Sequence, residues 1–332
     1  MSERSTFWHT ARRWIPWTNR GLLIRSAIAF SIIGSSIATN RSFLGWGIFA
    51  TFAVLMVPVG RVRSFLFSFG PYAVVWFVFT ALRSISDETP FALSLNLQAA
   101  DFERELFRGR LPTQTLQDRF YDPDQLHWYD YVATAVHWSY FIVPHALAIF
   151  LWYKHPQVYR RFLGGMILLL GLGLVIYFLI QSNPLWMAPE QVPSPIAPSP
   201  ERVMETIGEQ IGGGLYRASY RVIGESNPIA AMPSIHMAIT FLLAFPALAI
   251  SKRFGVIMFI YSGMMGYSLM YLGEHYFIDV LVGCMVAAYG WYGYPTVARL
   301  IWMARGIRVT ERTDDSQPLP ADAVGPAPSP AP

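Results

Sequence analysis

The chain has 332 residues, of which 53% are hydrophobic and only 14% charged. A soluble domain carries roughly 25% charged residues, so an ordinary soluble enzyme is excluded. A net charge of +4 does not point to nucleic acid, because the basic residues sort by side of the apolar runs, and one cysteine excludes an internal disulfide or a multi-cysteine metal site.

In chain order, residues 1–20 read as a cytoplasmic segment carrying Arg4, Arg12, Arg13 and Arg20. Apolar runs follow at 22–39, 43–60 and 65–82, making residues 21–82 an N-terminal membrane region. Each run is long enough to cross a hydrocarbon core of about 30 Å. A "SIA" step ending at Ala38 could be a cleavage site, but the long, arginine-scattered start argues for a retained span. Gly70-Pro71 predicts a kink in the third span.

Residues 83–128 form an outer loop with a surface helix near "LQAADFERELFRGRL". Spans then return at 129–152, 162–182, 235–250, 255–273 and 277–302. They form a 129–302 core interrupted by a second outer loop at 183–234. That loop contains a polyproline-like "PEQVPSPIAPSPE" and a flexible Gly212-Gly213-Gly214. Residues 303–332 read as a cytoplasmic tail, disordered in its Pro/Ala/Asp-rich part. The expected fold is thus an all-α polytopic membrane bundle of about eight helices, a six-helix core plus an N-terminal hairpin.

Lys and Arg set the orientation. Arg61, Arg63, Lys154, Arg160, Arg161, Lys252, Arg253, Arg305 and Arg308 gather on the side of the N-terminus, against Arg41 alone in the first outer hairpin. The positive-inside rule puts both termini in the cytoplasm, in a multi-pass protein of the cell membrane.

Two stretches carry chemistry. In "NPIAAMPSIHMAITFLLAFP", Pro233 can open a helix, Ser234 adds a hydroxyl beside free N–H groups, and His236 lies in the first turn. Such a helix start favours anions, phosphate above all. In "YLGEHYFIDVLVG", His275 and Asp279 are four apart and share a helix face. A carboxylate on one ring nitrogen fixes the tautomer and leaves the other nitrogen free to attack. An antiparallel hairpin of two spans brings all three residues to the outer interface. His137 and His145 read instead as helix–helix hydrogen bonds.

"PSIH" followed by "HYFID" resembles the second and third motifs of the type-2 phosphatidate phosphatase superfamily. The branch related to inositol phosphorylceramide and sphingomyelin synthases is most similar. Pro233, Ser234 and His236 match Pro-Ser-Gly-His with Ile235 in place of Gly. Ser268, His275 and Asp279 match the third motif with Leu269 in place of Arg. "FERELFRGRLPTQTLQDRFYDPDQLHWYD" and "YFLIQSNPLWMAPE" look like segments of bacterial, especially actinobacterial, members, and the similarity covers about residues 90–295. Lys154 and Arg161 have the spacing of the first motif, but they fall on the cytoplasmic side and are rejected as part of the site.

The resemblance implies transfer through a phosphohistidine, with His275 as nucleophile, Asp279 orienting it and His236 as general acid and base. Ser234, Arg217, Arg221 and Arg119 would bind the phosphate in place of the missing arginine. The substrate would be a membrane lipid phosphate or phosphodiester, with an alcohol or water as acceptor, inositolphosphotransferase-like. The alternatives are a lipid-phosphate phosphatase and a non-catalytic lipid binder or transporter. Neither cofactor nor metal is expected.

Overall fold

The computed structural model of the protein describes residues 19–39, 54–55, 62–83, 85–86, 93–94, 96–182, 184–186, 200–210 and 230–304. The elements in order are α1 (Asn19–Thr39), α2 (Val62–Arg83), β1 (Leu93–Ser94), α3 (Asn96–Leu106), α4 (Pro112–Phe120), α5 (Trp128–Ser139), α6 (Val143–Lys154) and α7 (Pro156–Leu179). They continue with β2 (Ile180–Gln181), α8 (203–210), α9 (Ile235–Ile250), α10 (Lys252–Tyr271) and α11 (Phe277–Ala304). Residues 1–294 form one compact unit. Residues 295–332 form a second, of which the helical 295–304 is described.

The protein is an all-α membrane bundle. Among the described residues, four helices are long and apolar enough to cross a membrane: Arg63–Arg83, Pro156–Leu179, Lys252–Tyr271 and Phe277–Ile301. The α5–α6 pair makes a fifth if its two parts count as one span, and Leu23–Ile32 and Ile235–Ile250 are shorter apolar helices. The expected span at 43–60, the polyproline-like stretch up to residue 199, Gly212–Gly214 and the tail beyond 304 lie outside the described residues, save 54–55.

Four details differ from the sequence reading. The span expected at 129–152 is broken, with α5 and α6 bent by 48°. Pro144 sits in the first turn of α6, where its missing N–H costs nothing, but it could not continue α5 without losing a bond and clashing with the preceding turn. Helix α9 begins at Ile235 with Ser234 as its cap, so Pro233 precedes the helix instead of opening it. The segments read as loops at 83–128 and 183–234 hold two further short helices, α4 and α8. His275 lies two residues before α11, so it and Asp279 do not share one helix as expected.

The core is built around α7, α9 and α10. Helix α9 packs on α10 and α7, α10 also packs on α5 and α4, and α7 packs on α2 and α6. The centre is apolar: Phe162, Met166, Leu169, Leu242, Leu243, Met265 and Leu269 are buried there. Fully burying such a side chain contributes about 1.5–3 kcal/mol, although for lipid-facing helices packing, more than water release, selects the partner. Apolar side chains such as Phe67, Phe77, Ile257 and Ile260 remain exposed on the outward faces of α2 and α10, as a bilayer requires.

One end of the bundle is tied together by polar contacts. A two-residue parallel pair joins β1 to β2, and Ser182 bridges to Ala230. Gln117 of α4 donates to the carbonyls of Glu201 and Tyr271, both at 2.8 Å, while its oxygen accepts from Glu201 N at 2.8 Å. The Tyr271 hydroxyl donates to Asp130 at the start of α5. This end therefore holds the C-termini of α2, α7 and α10 together with the starts of α5, α9 and α11.

Close approach of α11 to the start of α9 depends on Gly283. A Cβ there would stand 2.6 Å from the Ser234 carbonyl oxygen, a backbone atom that cannot swing away. Gly283→Ala is expected to cost about 1–3 kcal/mol as overpacking, read as a lower melting temperature in detergent. Gly263→Ala, where an added Cβ meets nothing within 4 Å, should leave melting unchanged or slightly raised. Equal melting of the two variants would contradict this packing.

Candidate active site

The chain makes a sharp turn before the second histidine. Gly273 closes α10 with φ of +79°, a left-handed conformation that glycine adopts without strain. Glu274 and His275 then both donate their backbone N–H to the Leu269 carbonyl, at 3.1 and 3.2 Å, folding the segment back onto α10. Two residues later α11 begins at Phe277, with Asp279 in its first turn.

His275 Nδ1 lies 3.2 Å from Asp279 Oδ2, and the same oxygen accepts from Tyr276 N at 3.1 Å. A carboxylate only accepts, so the hydrogen sits on His275 Nδ1 and the other ring nitrogen keeps its lone pair. Asp279 is 0% exposed, and its Oδ1 has no hydrogen-bond partner among the described residues. Buried polar atoms left unsatisfied in this way are rare in native folds.

Helix α9 meets this pair through backbone and cap. Ser234 N donates to the Asp279 carbonyl at 3.1 Å, which fastens the two stretches directly. Ser234 Oγ accepts from Met237 N at 3.3 Å, and the Tyr177 hydroxyl donates to the Pro233 carbonyl at 2.8 Å. The Ser234 hydroxyl oxygen thus caps α9, while its N–H ties the cap to Asp279. The first-turn N–H groups of Ile235 and His236 have no intrahelical acceptor.

His236 is partly exposed, and its ring centre stands 6.2 Å from that of His275 with the planes at 58°. His236, distant along the chain from His275 and Asp279, therefore converges with them at one end of the bundle. Tyr140 and Phe141 flank His236, with ring centres 4.3 and 6.3 Å away.

A third histidine joins them. His137 was expected to make a helix–helix hydrogen bond, yet its Nδ1 has no partner among the described residues, and its ring centre lies 4.8 Å from that of His236 with the planes tilted by 33°. His145 does pair between helices, with Nδ1 2.9 Å from the Tyr72 hydroxyl.

Two cations that the sequence reading did not single out border the cluster. Arg83, at the last turn of α2, donates to the Ala230 carbonyl at 3.1 Å, sits 5.5 Å from the Tyr177 ring centre and lies within electrostatic range of His236. Arg202 forks onto Glu274 with bonds of 2.9 and 3.2 Å, stacks over Trp186 and lies within electrostatic range of His137. One signal for Arg83 was available: a cation at the end of an apolar span away from the basic residues that set the expected orientation.

The arginines chosen from sequence fare differently. Arg217 and Arg221 lie outside the described residues. Arg119 is exposed on α4 with its guanidinium over the ring of Phe120. Arg161 donates to the Trp291 carbonyl and stacks on that ring. Trp291 is three turns further along α11 than Asp279, about 18 Å at 1.5 Å per residue, so Arg161 belongs to the opposite end of the bundle.

Glu103 of the surface helix α3 caps α11. It is 1% exposed, and its Oε1 accepts from Ile278 N at 2.8 Å. Burial, above all, pushes its carboxyl up to about 7. The nearby Asp279 charge adds to the shift, and the Ile278 and Phe277 N–H groups oppose it. A carboxyl raised on folding contributes stability that is complete below its unfolded value near 4.5 and is lost as pH rises through about 7. Glu103→Gln keeps the acceptor and removes the titration. Its melting temperature should therefore gain on the wild type between these pH values, by up to about 3 kcal/mol of stability. Parallel melting curves across that range would refute the assignment.

The family model described as the PAP2 superfamily matches residues 119–293, more than half of the chain. No curated protein and no solved structure matches.

Proposed function

This chain belongs to the PAP2 superfamily, and from that premise we propose that it is an integral-membrane phosphotransferase acting on a lipid phosphate or phosphodiester. Family membership supports a phosphatase or phosphotransferase activity in general terms. The finer reading is transfer to an alcohol, inositolphosphotransferase-like, through a phosphohistidine, with the site facing the extracytoplasmic side. The observation that supports it best is the His275–Asp279 pair facing His236 across 6.2 Å beside a capped helix start.

In the first step the free ring nitrogen of His275 attacks phosphorus. The bond from phosphorus to the leaving oxygen breaks, and that oxygen takes a proton from His236. Near-attack and hydrogen-bond contacts are each about 3 Å, so the gap between the rings suits one phosphoryl group. Asp279 holds the tautomer and stabilises the charge that develops on the ring. In the second step His236 takes the proton of the acceptor hydroxyl, whose oxygen displaces the His275 nitrogen.

The equatorial oxygens need donors and cations, which is where phosphoryl transfer gains most. The N–H groups at the start of α9, set by the Ser234 cap, supply the first. Arg83 supplies the cation beside His236 that Leu269 cannot. Arg217, Arg221 and Arg119 are further candidates from the outer loops.

The experiment is turnover of a diacylglycerol phosphate by detergent-purified protein, with and without orthovanadate, a mimic of five-coordinate phosphorus. The expected result is loss of the lipid phosphate, blocked by orthovanadate. Binding of the lipid with no turnover would favour a binder or transporter and reject the enzyme.

A further inference from the structure

One turn apart on α5, Thr134 and His137 carry polar atoms that no described residue satisfies. Thr134 is 2% exposed and His137 5%. Neither Thr134 Oγ1 nor His137 Nδ1 has a hydrogen-bond partner among the described residues. A spacing of three puts both on one helix face. Buried hydroxyls and ring nitrogens in native folds are almost always hydrogen-bonded, so such a pair marks a place that something outside the described chain completes.

The position of the pair is informative. Asp130, one turn earlier on that face, is satisfied, because one oxygen accepts from the Tyr271 hydroxyl and the other from His127 N at 2.7 Å. Besides Nδ1 of the cap residue His127, the unsatisfied side-chain atoms of α5 among the described residues are those of Thr134 and His137, and His137 lies 4.8 Å from the partly exposed His236.

Charge separates two sides of His236. On the α2 side stands Arg83, within electrostatic range of that ring. On the α5 side, the charge of Arg202 is matched by the forked pairing with Glu274, and the α5 residues themselves are a hydroxyl and an imidazole. An anion is drawn to the first side. A neutral hydroxyl, which both donates and accepts, suits the second.

We propose that Thr134 and His137 form the binding subsite for a polyhydroxylated alcohol that accepts the phosphoryl group. The inference rests on the phosphotransferase reading above. One hydroxyl of the alcohol gives its proton to His236. Its oxygen bonds to phosphorus as the phosphorus–nitrogen bond breaks, and the electron pair of that bond returns to the His275 ring. A second hydroxyl is held by Thr134 and His137, where no bond forms or breaks. The two side chains are positioning residues that select alcohol over water.

The test uses full-length detergent-purified protein, diacylglycerol phosphate and, in separate reactions, glycerol or myo-inositol below saturation. Phosphorylated alcohol and free phosphate are quantified together. Thr134→Val keeps the shape and removes the hydroxyl; His137→Phe removes the ring nitrogens. In each variant the ratio of transfer to hydrolysis should fall about tenfold, as the loss of one good hydrogen bond implies. If His137→Phe does not yield folded protein, Thr134→Val decides alone.

An unchanged ratio overturns the subsite, including the case in which both products fall in parallel, since a structural role alone would do that. A wild type that releases free phosphate but phosphorylates neither alcohol also overturns it, while leaving the lipid-phosphate activity standing. A wild type that consumes no lipid phosphate sinks both.

Discussion

Replacing His275 with alanine is expected to lower turnover of a lipid phosphate by on the order of 10⁴-fold or more, the scale on which losing a covalent nucleophile acts. The attacking atom is gone, and what remains is phosphate binding at the start of α9 and beside Arg83. The same substitution strips Asp279 of its histidine partner. One oxygen of this 0% exposed carboxylate would keep only the Tyr276 N–H, while the other has no partner among the described residues. A buried group losing its partner costs about 1–3 kcal/mol, more when charged. Stability and chemistry can be separated by adding Asp279→Asn to His275→Ala. The double variant should recover much of the melting temperature and none of the turnover. Substantial activity in either variant would remove His275 from its role.

His236→Ala should cost about 10²–10⁴-fold on an alkyl phosphate, the usual worth of a positioned acid–base group. Its dependence on the leaving group is more telling than its size. The leaving oxygen of a p-nitrophenyl phosphate departs without a proton, so the first step should survive in the variant. The second step still lacks a base for the acceptor. The variant should therefore release a burst of nitrophenol close to one per protein and then stall, the signature of a covalent intermediate that accumulates. Steady turnover without a burst, or equal loss on both substrates, would contradict the assignment. The partly exposed position of His236, against buried His275, agrees with a group that exchanges protons with substrate and acceptor.

The membrane helices and the two histidine stretches were legible because each leaves a local signal. The span read at 235–250 coincides with α9, since a serine cap opens it, an unbroken apolar run fills it, and Ser251 followed by the basic Lys252-Arg253 step closes it. The spacing of His275 and Asp279 pointed to their contact, but the sequence put both on one helix, whereas His275 precedes α11 and meets Asp279 through the turn that folds it back onto α10. The break at 140–142 was missed although Pro144 announced it, because the apolar pattern is uniform through it. Helices α4 and α8 are short and amphipathic, and polar loops look similar. His137 shows a deeper limit: hydropathy places a histidine within a span but does not say which neighbour its face meets. Arg83, Arg202 and Glu103 come to the site through tertiary packing across separations of tens to well over a hundred residues, and a single sequence carries no trace of such pairings.

The most direct measurement is the capture of the covalent intermediate. Protein incubated with a lipid carrying radiolabelled phosphate, quenched in alkali and digested, should yield one labelled peptide. The label should be stable to base, labile to acid and located on His275, with more of it in His236→Ala than in the wild type. Turnover with no trapped label, or label on any other residue, would contradict the account.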